Sequence, residues 1–286
     1  MIVNKLKLGE TGFPESLTTI AAPPRQLFWS GNHPGEWLNR PRVAVVGSRK
    51  ITAYGKLVTE NLSGTLARSG VVIISGLAYG VDVSAHGAAL RAGGVTVAVL
   101  PSSLEQVYPA AHAHIARQIT ERGALISEYP KGSQIAWKSN FIARNRLISG
   151  LADILLITEA AVNSGSLHTA RFALEQGKTV MAVPGNVTSP VSEGCNNLIK
   201  SGAVPVTSAE DVLFALNISL GAKAEGAFSG SEQEKTVYEL IKKGICAQEE
   251  VAAAARLDGH QVASTLTMLE ISGYIRPAGA GQWVVA

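Results

Sequence analysis

From residue 43 to about residue 217, short β-branched runs alternate with helix-spaced stretches. No other feature of the 286-residue chain constrains its fold as much. The runs are Val43–Val46, Val71–Ile74, Thr96–Leu100, Ala124–Ile126, Asp153–Thr158, Val180–Val183 and Val204–Thr207. They are continuously apolar, as strands covered on both faces must be. Between them, 55–69, 81–92, 110–122, 139–151, 166–177 and 194–201 carry helical spacing. Right-handed crossovers between parallel strands satisfy this alternation. The predicted class is therefore α/β, a doubly wound and mostly parallel sheet over 43–217.

The flanks read differently. Residues 1–42 are punctuated by Pro14, Pro23, Pro24, Pro34 and Pro41, and are expected to form an irregular lead-in packed on the main domain. Residues 218–230 are rich in Gly, Ala and Ser and read as a linker. In 231–286, Ser231 and Glu234 form a capping box opening a first helix to Lys243. Helices at 247–256 and 259–272 follow, then a hairpin signal around Pro277–Gly281. Three helices and a hairpin is the winged-helix pattern.

An apolar fraction of 46% excludes a disordered chain, and a net charge of +3 permits a nucleic-acid partner without demanding one. Cys195 and Cys246 read as free thiols in a reducing compartment, and the His and Cys residues have no metal-ligand spacing. No secretory segment and no apolar run of the ~18 residues a membrane span needs is apparent, so a soluble, cytoplasmic chain without membrane contact is expected.

In an open α/β sheet, ligands sit outside the carboxyl ends of the strands. The first strand there ends in Gly47-Ser48-Arg49, where a helix entrance can hold an anion and Arg49 can pair with phosphate. A tight turn with a solvated arginine explains the triplet about as well. The next strand leads into Ser75-Gly76-Leu77-Ala78-Tyr79-Gly80-Val81-Asp82. Asp82 and His86 share a helix face at i, i+4; a structural role orienting the turn is preferred to an acid/base couple. The stretch 131–146 holds Lys131, Lys138, Arg144 and Arg146 with Trp137 and Phe141, and no acid. Cations that track phosphates beside rings that stack on bases are what a single-stranded nucleic acid site uses. A solvated face with Phe141 in the core is the competing reading. On a helix, Phe141, Arg144, Asn145 and Ile148 share one face, while Arg146 points away. Asn163-Ser164-Gly165-Ser166 opens another helix, with Ser164 as the expected N-cap, and makes a second phosphate cradle. Val183-Pro184-Gly185-Asn186 closes a further strand. Together these strand ends point to a phosphate-bearing ligand. No Walker loop, serine elbow or carboxylate cluster is present, which argues against an enzyme and calls for no cofactor.

These blocks together resemble the DNA-processing protein A family, also called Smf or DprA. The resemblance rests on Val45–Arg49, Ser75–Asp82 with Ala85-His86, Ser127-Glu128-Tyr129-Pro130, Phe141–Arg146, Glu159-Ala160 with Ser164-Gly165-Ser166 and Thr169, Ala182–Gly185, and Asn197-Leu198-Ile199. It implies an extended Rossmann-like domain that binds single-stranded DNA, loads the RecA recombinase onto incoming strands during natural transformation, and acts as a homodimer. It implies that Arg49 and Lys138 contact DNA and that Phe141 stacks on a base. The Gly-rich turn usual after the third strand is here Leu100-Pro101-Ser102-Ser103-Leu104, to which no contacts are assigned. Gly76, Gly80, Asp82, His86 and Gly185 are expected to shape the site. The alternative is a nucleotide-directed enzyme resembling the nucleoside-monophosphate glycosidases, but the glutamate of their P-G-G-x-G-T-x-x-E loop is missing after Thr169.

The tail carries five Lys/Arg against seven Asp/Glu, and 259–272 holds Glu270 but no cation. Phosphate neutralisation supplies most non-specific DNA affinity, so the tail is expected to contact protein, not DNA.

Overall fold

Two strands precede the predicted alternation. β1 (Asn4–Lys7) and β2 (Gln26–Gly31) pair antiparallel inside the stretch expected to be irregular, and β2 pairs antiparallel with a later strand. Residues 4–7 and 26–31 therefore belong to the sheet, and the short α1 (Pro34–Leu38) follows them. The strands escaped the sequence because both lie toward one edge of the sheet and bury only part of their side chains. β1 alternates over only four residues, and β2 has an apolar run of only three, Leu27-Phe28-Trp29, between polar ends. The computed structural model describes residues 2–133, 137–218, 230–272, 274–279 and 281–285.

The alternating region then runs β3 (Arg42–Val46), α2 (Ala53–Arg68), β4 (Val72–Ser75), α3 (Val81–Arg91), β5 (Thr96–Val99), α4 (Ala113–Arg122), β6 (Ala124–Ser127), α5 (Trp137–Leu151), β7 (Ile154–Ile157), α6 (Ser166–Glu175), β8 (Thr179–Ala182), α7 (Glu193–Lys200), β9 (Val204–Pro205) and α8 (Ala209–Ala215). Among the described residues nine strands form one sheet, in the order β1-β2-β6-β5-β4-β3-β7-β8-β9. All pairings from β6 to β9 are parallel. Pro205, which has no N–H to give a ladder, lies on the edge strand β9.

Alternate residues of β3 feed opposite cores. Ala44 and Val46 pack with Leu147, Ile148 and Leu151 of α5, Ala170 of α6 and Trp37 of α1. Val43 and Val45 pack with Leu62 and Leu66 of α2, Val81 and Ala85 of α3, and Leu213 of α8. Both faces are thus covered, which is why the strands read as unbroken apolar runs. Chain order runs outward from β3 through β4, β5 and β6, then resumes on the other side with β7, β8 and β9. The β3/β7 boundary is a topological switch point, where diverging loops leave a crevice.

The chain divides into two units, 1–220 and 221–286. The second contains α9 (Glu232–Lys242), α10 (Gln248–Ala255), α11 (Gly259–Ile271) and a hairpin of β10 (Ile275–Gly279) and β11 (Gln282–Val285). The Ser231–Glu234 capping box is formed. Val237, Ile241, Val251, Val262, Leu266, Leu269 and Ile275 give this unit its own core. Of the expected linker, 219–229 lies outside the described residues. No described helix is long and apolar enough to cross a membrane.

Candidate nucleic-acid interface

A cleft of about 830 Å³ opens at the switch point. Its walls are the β3–α2 loop, the start of α3, the outer face of α5 and the first turn of α6. Gly47, Ser48, Arg49, Phe141, Arg144, Asn145, Asn163, Ser164, Gly165 and Ser166 all line it. Residues drawn from three separate stretches of sequence are thus brought to one cavity. Lys138 lies in the first turn of α5, and its side chain falls outside the described residues.

The β3–α2 loop is held from below. The Ser48 amide donates to the Glu159 carbonyl at 2.7 Å, and the Ser48 carbonyl accepts from the Val81 amide at 3.1 Å. The buried Glu159 carboxylate accepts from the Thr52 amide and hydroxyl, and Thr52 in turn caps α2. Glu159 is thereby committed to the loop. Arg49 and Lys50, at the loop's tip, are exposed, and no carboxylate among the described residues is within salt-bridge distance of them. The Arg49 guanidinium lies over the Phe141 ring, 4.9 Å from its centroid.

Arg144, expected among the cations that track phosphates, is turned inward. It lines the cleft, yet only 3% of it is exposed, and its guanidinium donates to the carbonyls of Gly76 and Val99 and to Asn145 Oδ1. Burial pushes its pKa down to about 10, so it stays charged at neutral pH. It is a fixed positive charge in the floor. Gly76 is required beneath it, because a Cβ there would stand 2.6 Å from the guanidinium. Gly80 has φ +77°, and a Cβ there would strike the Ser48 carbonyl.

Asp82 and His86 do not form a couple. Asp82 Oδ2 accepts from the amides of Gly76 and Ala78, which shapes the turn as expected. Burial raises its pKa, against the lowering pull of Arg144 and those amides. His86 points to β5, with Nδ1 2.7 Å from the Thr96 hydroxyl. That hydroxyl donates to the Ile73 carbonyl, so Nδ1 carries the proton. Burial holds the His86 pKa down to about 3, and the ring is neutral. His86 supports the sheet, not the cleft. Gly185 also lies off the cleft, packed on Ser192 and bonded to the Asn196 amide. At the entrance of α6, Gly165 already has helical φ and ψ, and Ser164 Oγ before it accepts from the Ser166 amide at 3.4 Å and bonds Ser166 Oγ at 2.8 Å. Arg146 turns away as expected and pairs with Glu128.

Sequence reasoning missed Tyr108, Ile142, His168 and Val191, which also line the cleft. Tyr108 follows the turn to which no contacts were assigned, and packs edge-on to Phe141 at 5.4 Å between centroids. Its signal was an aromatic beside a proline in an irregular stretch. His168 sits in the first turn of α6, where a polar residue on a helix entrance was readable. With Arg49, Lys50 and Arg144 against Asp82, the charge of the lining is positive. No described cluster of His, Cys, Asp and Glu has the arrangement of a metal site. Burial raises the Cys195 thiol to about 12, which makes it inert.

The sequence model for the DNA recombination-mediator protein A family matches residues 4–217. The chain belongs to this family. It is 40% identical over 259 residues to a putative DNA processing protein DprA of Mycobacterium tuberculosis, covering 85% of this chain and 66% of that protein. The chain thus spans just under two thirds of that relative's length. It is 39% identical to protein Smf of Escherichia coli over 280 residues, 94% of this chain and 74% of that one. The crystal structure of DNA processing protein A from Streptococcus pneumoniae superposes with a TM-score of 0.70 at 39% identity, covering 74% of this chain and 73% of that one. A Helicobacter pylori member, described for its single-stranded DNA binding mode, superposes with a TM-score of 0.67 at 32% identity, covering 75% and 95%.

Proposed function

We propose that this member of the DNA recombination-mediator protein A family binds single-stranded DNA in the switch-point cleft. The observation that carries the reading is the exposed Arg49 stacked on the Phe141 ring in the lining of a positively charged cavity. Cations track the phosphates of a single strand while rings meet its bases. The first turn of α6, opening on the same cleft, adds the Ser164 and Ser166 hydroxyls and the positive end of the helix dipole. The Helicobacter pylori relative supports the ligand class. In this reading Gly47, Ser48, Arg49, Lys138, Phe141, Asn145, Asn163, Ser164, Gly165 and Ser166 meet the strand, and Arg144 acts from beneath it. In this reading the site binds and does not catalyse, which is supported by the commitment of the Asp82 carboxylate in the cleft, and of Glu159 behind the β3–α2 loop, to backbone and threonine donors. The family further supports a recombination mediator, a homodimer that protects incoming DNA and loads RecA onto it during natural transformation in the cytoplasm.

Fluorescence anisotropy of a labelled oligothymidine against duplex of equal length, across a salt series, tests the reading. Strong preference for the single strand, falling as salt rises, is expected. Equal or absent binding would overturn it.

A further inference from the structure

Tyr79 is an exposed aromatic in a place where folding does not need one. The eight residues from Val71 to Ala78 are buried or nearly so, yet Tyr79 is 49% exposed. The turn that sets it outward is unusual at one residue: Leu77 adopts φ +57°, a conformation uncommon outside glycine, whereas Gly80 takes φ +77° freely. Strain of this kind, on a turn at the carboxyl end of a strand, points to a use for the side chain between the two residues.

The ring is also propped. Tyr79 packs edge-on to His112, with 4.8 Å between centroids, and the buried His112 is itself tied to the Leu77 carbonyl at 2.8 Å. Beside it stands Tyr108, 42% exposed and packed on Phe141. Tyr79, Tyr108, Pro109, Phe141 and Arg49 surround a recess of about 30 Å³. That volume holds roughly one water, so no base enters it. A base would lie on the ring surfaces around it. Arg49, Phe141 and Tyr108 line both this recess and the main cleft, which makes the two continuous.

We infer that Tyr79 and Tyr108 form a second base-stacking subsite, a shelf that carries the same single strand onward from the cleft past Arg49. The inference rests on the single-strand reading above. Rigid rings suit this task because their ordering is already complete before the strand arrives. Tyr108 belongs to both subsites, whereas Tyr79 lines the shelf alone. Tyr79 therefore discriminates between them.

The test compares the full chain with Tyr79→Ala and Tyr79→Phe on two oligothymidines. One has about four nucleotides, whose bases fill the deeper cleft first; the other has about twelve. Tyr79→Ala should bind the short strand like the parent and the long strand about tenfold more weakly, with an unchanged salt slope, because stacking releases no counterions. Tyr79→Phe should restore long-strand affinity. In the parent chain, abasic residues at all but the central four positions of the long strand should reproduce the loss. Unchanged long-strand affinity in Tyr79→Ala, or a loss that Phe does not restore, would overturn the shelf. A parent chain that binds neither strand would instead overturn the single-strand reading beneath it. Equal thermal unfolding of all three chains, expected for so exposed a side chain, excludes a folding defect.

Discussion

At the scale of the residue, the cleft couples groups that look independent in the sequence. A cation and a ring, read separately, divide the labour into salt-dependent phosphate contact and salt-independent stacking. The structure lays Arg49 over Phe141, so the ring also positions the cation. Arg49→Ala should lower single-strand affinity and reduce the salt slope by about 0.7. Phe141→Ala should lower affinity and also take part of that slope, and the double variant should lose less than the sum of the two. Strict additivity in an anisotropy cycle would show that the stacked pair is not retained on DNA. His86 yields a second prediction, away from the cleft. Its folded pKa of about 3 lies below the ordinary 6.5, so the unfolded chain binds the proton first as pH falls. Its contribution is complete above pH 6.5 and is lost on the way down toward pH 3, by up to about 5 kcal/mol. Asp82 works in the opposite sense, because a raised carboxyl pKa favours the folded chain as acid is added. The test is therefore differential: urea unfolding of His86→Gln should lose less stability between pH 6.5 and 4 than the parent does. Equal losses would place the charge change elsewhere.

At the scale of the element, legibility follows burial. The parallel strands β3 to β8 were readable because both faces are covered, which leaves unbroken apolar runs with helices between. The strand ends were readable because glycine, serine and asparagine cluster there, and the switch point collects them into one cleft. β1 and β2 were not readable, since four residues with one wet face in β1 and a three-residue apolar run in β2 are too short to stand above the prolines around them. The same limit hid the inward turn of Arg144, because helical phase gives a direction but not the depth of the neighbours. It also hid Tyr79, whose outward setting depends on a backbone conformation that sequence does not print. The N-terminal stretch carries an energetic consequence. Phe13, Leu17, Ile20, Leu27 and Trp37 are buried with residues of β3, β4 and α5. An irregular lead-in would tolerate truncation of such a side chain, whereas an integral part of the core would not. Trp37→Ala should cost about 3–5 kcal/mol by urea unfolding. A loss under about 1 kcal/mol would return the stretch to the role of a surface wrap.

At the scale of the whole molecule, two units with separate cores carry different charge. Residues 1–230 hold 20 basic and 15 acidic residues, a balance of +5, and residues 231–286 hold five and seven, a balance of −2. The fold of the second unit, three helices and a hairpin, invites comparison with modules that lay their third helix in a DNA groove. Here that helix, α11, exposes His260, Ser264, Thr267, Met268, Glu270 and Ile271, with no Lys or Arg along its length. Phosphate neutralisation, which dominates non-specific affinity, has no source on it. Its half-exposed Met268 and more exposed Ile271 suit a protein surface better than a phosphate backbone. Removal of 221–286 should therefore leave the first unit folded around its own cores and leave single-strand affinity within about twofold of the full chain, with the same salt slope. Independent cores also predict that calorimetry of the full chain resolves two transitions and that the truncated chain keeps one of them. A tenfold loss of single-strand affinity on truncation would assign DNA contacts to the second unit despite its charge. The cations responsible would then be sought on α9 and at Lys243, Arg256 and Arg276, where the basic residues of 231–286 lie.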